Sequence, residues 1–144
     1  MILQNFGENL KELIEEKQIT VEEFARSVDI AYSEVYRYLR KEYLPHLTAI
    51  IKIADTYNCS VDYLLGFVAF DENSGFKKTP DFATRFKEIL RERNLTRYRI
   101  HVDTGLSLNC LDSWYNGKFT PSVDNLIRLK NYLKCSLDYI LGRE

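Results

Sequence analysis

The feature that most constrains this chain is that it repeats itself. Laid on itself at an offset of 76 residues it aligns without a gap: Phe6 falls on Phe82, Lys11-Glu12 on Lys87-Glu88, Glu16 on Glu92, Thr20 on Thr96, Pro45 on Pro121 and Ile51 on Ile127. The closing segments agree best, Cys59-Ser60-Val61-Asp62-Tyr63-Leu64-Leu65-Gly66 against Cys135-Ser136-Leu137-Asp138-Tyr139-Ile140-Leu141-Gly142. Two copies are too few for a solenoid, which needs at least ~3 repeats to bury a continuous core. In a chain of 144 residues they read as two small domains, 1–67 and 82–144, joined by a linker at 68–81. That linker carries Asp71-Glu72-Asn73-Ser74-Gly75 and Lys77-Lys78-Thr79-Pro80, a turn-rich composition. Phe67, Phe70 and Phe76 predict that part of the joining segment is anchored on a domain surface.

Within each copy the apolar period is helical. Phe6, Leu10, Leu13 and Ile14 follow i, i+4, i+7, i+8, and Phe82, Phe86, Ile89 and Leu90 repeat the pattern. Thr20 with Glu23 three residues on makes a capping box; Thr96 repeats the cap, but Arg99 stands in place of the glutamate. Ser60 and Ser136 suit the start of a last short helix, and Gly66 and Gly142 suit the left-handed position that ends it. Pro45 and Pro121 are each expected to end a helix and open the next loop. The predicted helices lie at about 6–17, 21–28, 32–41, 47–57 and 60–65, then at the same positions plus 76. No stretch alternates as a strand, so the fold class is all-α.

Composition excludes several functions. Hydrophobic residues are 45% and charged residues 28%, an ordinary globular balance. Lys plus Arg is 20 against 21 Asp plus Glu, a net charge of −1, which argues against a strongly basic tail or a polybasic membrane anchor. The apolar runs, such as Phe67-Val68-Ala69-Phe70, fall far short of the ~20 residues of a membrane span. Residues 1–10 carry Glu8 and no basic side chain, unlike a secretory signal, so the expected location is the cytoplasm. Cys59, Cys110 and Cys135 are an odd set without metal-ligand spacing. Cys59 and Cys135 are expected in the core, with Cys110 a free thiol near the start of the third helix. His46 and His101 have no ligand partner at a suitable spacing, and there is no Gly-rich phosphate loop and no nucleophile elbow. Neither enzymatic activity, a metal nor a cofactor is expected.

The second and third helices carry the function. In the first copy Phe24, Val28, Ile30, Val35 and Tyr38 are spaced to close two short helices on each other, with small Ala25 between them. Asp29 stands where the turn requires a positive φ, which Asp tolerates. In the second copy Ile100, Thr104, Leu106, Leu111 and Trp114 keep the apolar frame and Gly105 takes the turn. This pattern, with the helix before it and the Ser60–Gly66 ending, resembles the Cro/C1-type, lambda-repressor-like helix-turn-helix domains. The resemblance covers about 6–66 and 82–142. It implies two lambda-repressor-like five-helix domains in tandem. The second copy departs from the family at His101, where a small residue is usual; its ring must point away from the helix contact or push the helices apart.

The resemblance further implies a bacterial or phage transcriptional regulator that occupies double-stranded operator DNA and blocks or recruits polymerase, with no cofactor; a repressor is the expected form. In such domains the third helix enters the major groove. The base-contacting candidates are then Tyr32, Ser33 and Arg37 in the first copy, and Leu108, Asn109 and Ser113 in the second. A bidentate contact from Arg37 to guanine or Asn109 to adenine would carry ~1–3 kcal/mol of discrimination. The phosphate-contacting candidates are Arg40, Lys41, Tyr43, Arg91, Arg97, Asn116 and Lys118, of which Arg97 opens the second helix while Val21 holds that place in the first copy. Family members bind as symmetric dimers; one chain with two unlike readers can instead act as a covalent pseudo-dimer on an asymmetric site. Charge is split unevenly, with 7 basic and 11 acidic residues in 1–70 against 13 and 10 in 71–144. Around the third helix the order reverses, +2 over 31–41 and zero over 107–118. These features leave a homodimer and a protein partner, in the manner of an antitoxin or anti-regulator, as the alternative reading.

Overall fold

The computed structural model describes residues 2–144, and among them it has ten helices and no strand. These form two compact units that meet at Phe76 and Lys77, inside the expected linker. The first unit contains α1 (Ile2–Lys17), α2 (Val21–Val28), α3 (Tyr32–Leu39), α4 (Leu47–Tyr57) and α5 (Val61–Leu64). The second contains α6 (Phe82–Glu92), α7 (Arg97–Thr104), α8 (Leu108–Tyr115), α9 (Val123–Leu133) and α10 (Leu137–Ile140). Helix α1 starts earlier than the periodicity predicts, because half-buried Ile2 and Leu3 extend its apolar stripe.

Both units are built to one packing plan. In the first, α1 packs on α3 and α5, α2 on α3 and α4, and α4 on α5; the same pairings recur in the second. Phe6, Leu10, Phe24, Val35, Ile50, Ile53 and Leu64 fill the first core, and Phe86, Ile89, Ile100, Leu111, Trp114, Leu126, Leu129 and Ile140 the second. Each such side chain contributes roughly 1.5–3 kcal/mol by leaving water. The equivalent aromatics Tyr38 and Trp114 are both buried: Tyr38 meets the edge of Phe6 at 5.9 Å, and Trp114 those of Phe82 at 6.0 Å and Phe86 at 5.7 Å. The first and last helices of each unit are also tied by matching hydrogen bonds. Asn9 Nδ2 donates to the Tyr63 carbonyl at 2.6 Å, and its counterpart Arg85 donates through Nη2 to the Tyr139 carbonyl at 2.7 Å.

The helix starts follow the local chemistry. Thr20 and Glu23 form a full capping box, Thr96 caps α7 with its side chain alone, and Ser60 and Ser136 cap α5 and α10. Asp81, Ser107 and Ser122 add caps at α6, α8 and α9.

The helix ends require a correction. Pro45 and Pro121 do not stop α3 and α8, which end at Leu39 and Tyr115; both prolines are buried in the loops before α4 and α9. What stops each helix is a left-handed residue just past its end, Lys41 at φ 62° and Gly117 at φ 75°. The Lys41 and Glu42 amides donate to the Tyr38 and Arg37 carbonyls at 3.0 and 3.1 Å, and those of Gly117 and Lys118 to Trp114 and Ser113 at 3.3 and 2.9 Å. This Schellman pairing satisfies the free carbonyls of the last turn without help from proline.

These two positions face α1 and α6 in a complementary way. A Cβ on Gly7 would lie 2.7 Å from Lys41 Cγ and 3.0 Å from the Tyr38 carbonyl oxygen, so the Lys41 stem crosses α1 where only glycine leaves room. The second unit has Ala83 in place of Gly7 and Gly117 in place of Lys41, and a Cβ on Gly117 would meet that of Ala83 at an ordinary 3.6 Å.

Two further features differ from expectation or from copy to copy. Cys59 is buried as expected, but Cys135 is only half-buried. The second unit also buries an ion pair: Arg143 Nη1 donates to Asp138 Oδ1 at 2.5 Å with both side chains almost fully covered. In the joining segment, Phe70 stands 5.5 Å from the Tyr63 ring and the Phe76 amide donates to Asn58 Oδ1 at 3.0 Å. Within the second unit, the Lys77 amide donates to the Arg143 carbonyl at 2.7 Å.

Candidate nucleic-acid interface

Each unit contains two short helices joined by a three-residue turn. In the first, α2 ends at Val28 and α3 begins at Tyr32; Asp29 takes the left-handed conformation at φ 54°, and the Ile30 amide donates to the Ala25 carbonyl at 3.0 Å. In the second, α7 ends at Thr104 and α8 begins at Leu108, with Gly105 at φ 79°. Buried Phe24, Ala25, Val28 and Val35 hold the first pair together, and Ile100, Leu106 and Leu111 the second.

The second turn is tied more densely. Thr104 Oγ1 donates to the Ile100 carbonyl at 2.7 Å and accepts from the Leu106 amide at 3.1 Å. Arg128 Nη2, from α9, donates to the Thr104 carbonyl at 2.7 Å. His101 resolves the steric alternative differently: half-buried, it turns Nδ1 to the Leu106 carbonyl at 2.6 Å while α7 and α8 stay packed. A carbonyl only accepts, so this contact requires the proton on Nδ1.

The third helix of each unit buries one side and presents the other. On α3, Tyr32 is 60% exposed with its ring edge-on to Tyr36 at 6.3 Å, and Ser33 and Arg37 are also exposed. On α8, Leu108 and Asn109 are exposed at the first turn, while Ser113 is half-buried and its hydroxyl donates back to the Asn109 carbonyl at 2.8 Å. Ser113 thus spends its donor on its own helix. Asn116 caps the end of α8 and Lys118 follows it, both exposed; Arg91 is exposed near the end of α6.

The cations of the first unit are not idle. Arg37 Nη1 lies 3.7 Å from Glu34 Oε1, Arg40 Nε 2.5 Å from Glu42 Oε2, and Lys41 Nζ 3.2 Å from Glu8 Oε1. Hydrogen bonds from Gln4 and then Lys41 hold the Glu8 carboxyl below its ordinary pKa. Tyr43 packs edge-on against Tyr38 at 5.6 Å. Between α2 and α3, the Tyr36 hydroxyl donates to Glu22 at 3.1 Å, and that bond raises the phenol's pKa. In the second unit a different pair makes the same link: Arg97 Nη1 donates to Asp112 Oδ1 at 2.8 Å, and its guanidinium lies 4.0 Å from the centre of the Tyr115 ring. Cys110, half-buried in the first turn of α8, has its thiol pKa raised by that burial. Of the paired carboxylates, Glu34 enters the net charge of +2 over 31–41, whereas Glu42 and Glu8 lie outside that segment. The spacings of Glu34 and Glu42 were visible in the sequence; that of Glu8 appears only when α1 packs beside α3.

Two helices at a tight turn, repeated with their outer helix exposed in each unit, define a paired helix-turn-helix protein. Two family models match accordingly: a helix-turn-helix over residues 10–64 and the Cro/C1-type helix-turn-helix DNA-binding domain over residues 85–144. The chain thus carries helix-turn-helix domains of the DNA-binding kind in tandem. No curated protein and no solved structure matches it. No helix among the described residues is long and apolar enough to cross a membrane.

Proposed function

We propose that the chain is a transcriptional repressor whose two domains read two unlike half-sites of one operator, without a cofactor. The observation that carries this is the outward face of the third helix in each unit. One presents Tyr32, Ser33 and Arg37, the other Leu108 and Asn109, and all five are exposed while Val35 and Tyr38, and Leu111 and Trp114, are buried. Arg37 suits the acceptor pair of guanine, Asn109 the donor–acceptor pair of adenine, and Leu108 the thymine methyl. Two such faces specify an asymmetric site, and repression follows from excluding polymerase there. Arg40, Lys41, Tyr43, Arg91, Arg97, Asn116 and Lys118 supply the phosphate contacts of this reading.

Selection of bound duplexes from a random library, with the full chain at ~0.1 M salt where exposed charge is screened, tests it. Two different enriched half-sites at a fixed spacing support the tandem reader. A single palindrome means that one domain reads and the chain dimerises.

One observation favours the alternative, a protein-interaction module, for the first unit. Its reading-face cations each have a carboxylate of their own, and the unit holds 7 basic against 13 acidic residues, whereas the second holds 13 against 8. No enriched duplex, together with capture of a partner protein that survives Arg37→Ala with Arg40→Ala, supports that alternative.

A further inference from the structure

Three elements of the second unit bring charge to one aromatic ring. Tyr115, the last residue of α8, has the Arg97 guanidinium 4.0 Å and Lys87 Nζ 4.9 Å from its ring centre. Arg97 opens α7 and Lys87 lies in α6. Arg97 Nη1 is held by Asp112, one turn before Tyr115 on α8. The corresponding residues of the first unit are Leu39, Val21, Lys11 and Tyr36, so this arrangement exists only in the second. Two like charges beside one ring repel each other, and one carboxylate offsets only one of them. Arg97 has five N–H donors and commits one of them to Asp112. What suits such a cluster is an oxyanion with several acceptor oxygens, and exposed Arg91, one turn beyond Lys87 on α6, adds to the positive potential there.

We propose that Lys87 and Arg97 together grip one backbone phosphate of the duplex, with Tyr115 and Asp112 as positioning residues that hold the two cations convergent. This rests on the reading that the second unit binds DNA, and it adds Lys87, Tyr115 and Asp112 to that interface. Asp112 gives it a distinctive sign. If Asp112 only neutralises Arg97, its removal strengthens attraction to DNA; if it orients Arg97, its removal weakens specific binding although the net charge rises.

The test is fluorescence anisotropy of the full chain with a labelled duplex carrying the selected site, over a series of salt concentrations. Tyr115→Leu, the residue the first unit has at this place, is expected to weaken binding about three- to fivefold, the worth of a cation–π contact at an exposed site. Tyr115→Phe keeps the ring and is expected to restore it. Lys87→Met is expected to reduce the slope of log K against log salt by about 0.9, one phosphate contact. Asp112→Asn is expected to weaken specific binding. Trp114 fluorescence checks that the unit stays folded; if Tyr115→Leu unfolds it, Asp112→Asn decides. Wild-type affinity in Tyr115→Leu, or tighter binding in Asp112→Asn, overturns the proposal. A wild-type chain that binds no duplex overturns the DNA reading of the unit, and this grip with it.

Discussion

The seam between α1 and α3 invites an exchange of parts between the two units. Gly7 and Lys41 in the first correspond to Ala83 and Gly117 in the second. Gly7→Ala alone should gain about 0.5–1 kcal/mol from the better helix former. It also drives a methyl to 2.7 Å from Lys41 Cγ and 3.0 Å from the Tyr38 carbonyl, and such overpacking costs about 1–3 kcal/mol. The expected net effect is a loss of about 1 kcal/mol or more. Lys41→Gly alone relieves the left-handed strain at φ 62°, about 1–2 kcal/mol. Against that it gives up an exposed ion pair with Glu8 and adds chain entropy to the unfolded state, together about 1–2 kcal/mol, so it should be near neutral. The double variant installs the second unit's solution: the methyl occupies the space the lysine stem vacates. It should match or exceed the wild type, which makes the coupling between the two sites favourable by about 1–2 kcal/mol. Denaturant unfolding followed by far-UV circular dichroism measures the cycle. Trp114 is the only tryptophan and lies in the second unit, so its fluorescence serves as an internal reference. Additivity of the two substitutions within ~0.5 kcal/mol would refute the steric argument.

Three other perturbations follow from the same structure. Arg143→Met leaves Asp138 buried without its cation, and breaking such a pair is expected to cost about 3–5 kcal/mol; a shift of Trp114-detected unfolding worth less than ~1 kcal/mol would mean the pair is effectively solvated. Thr20→Ala is expected to cost about 1 kcal/mol at neutral pH. The Thr20 amide and then its hydroxyl hold the Glu23 carboxyl below its ordinary value of 4.5. A carboxylate with a lowered folded pKa stabilises above its unfolded value and loses that contribution as pH falls through the folded one. Glu23→Ala, which removes that carboxylate from the Thr20 amide, should therefore cost stability at neutral pH and less at acid pH; a penalty independent of pH would exclude the reciprocal bond. Arg37→Ala with Arg40→Ala should weaken binding to the selected duplex at least about tenfold, measured by anisotropy, and unchanged affinity would remove the first unit from the DNA interface.

Much of this fold could be read because its signals are local. Thr20, Thr96, Ser60 and Ser136 mark helix starts through hydroxyls that reach an amide three residues on, and Asp29 and Gly105 mark the turns by the φ they tolerate. Pro45 and Pro121 invite a local rule although their role is packing; the stop signals are Gly117, a residue that favours the left-handed region, and Lys41, whose side chain gives no hint of it. The site was legible as a place rather than as a balance of charges. Tyr32, Leu108 and Asn109 stand exposed at the places that the family resemblance assigns to them. That Lys41 pairs with Glu8, or that Lys87 and Arg97 share the Tyr115 ring, depends on packing that brings together side chains far apart in the sequence. His101 is an intermediate case: its poor fit between two helices was evident, and its use as a donor to the turn was not.

The contact of α5 with α1, and of α10 with α6, sets the order in which the chain can fold as it leaves the ribosome. Each unit is closed by its last four-residue helix, so the first helix of each must wait, its apolar stripe unsealed, until nearly the whole unit has emerged. The first unit becomes complete only after Val61–Leu64 has cleared the exit tunnel, and from then on it can fold before the second is made. Because no pairing within a unit spans more than that unit's own length, neither has to wait for distant sequence, and folding should be fast. The first bundle is most exposed to aggregation while Ser60 and the turn of helix after it are still inside the tunnel, when one cap and one turn separate an open bundle from a closed one.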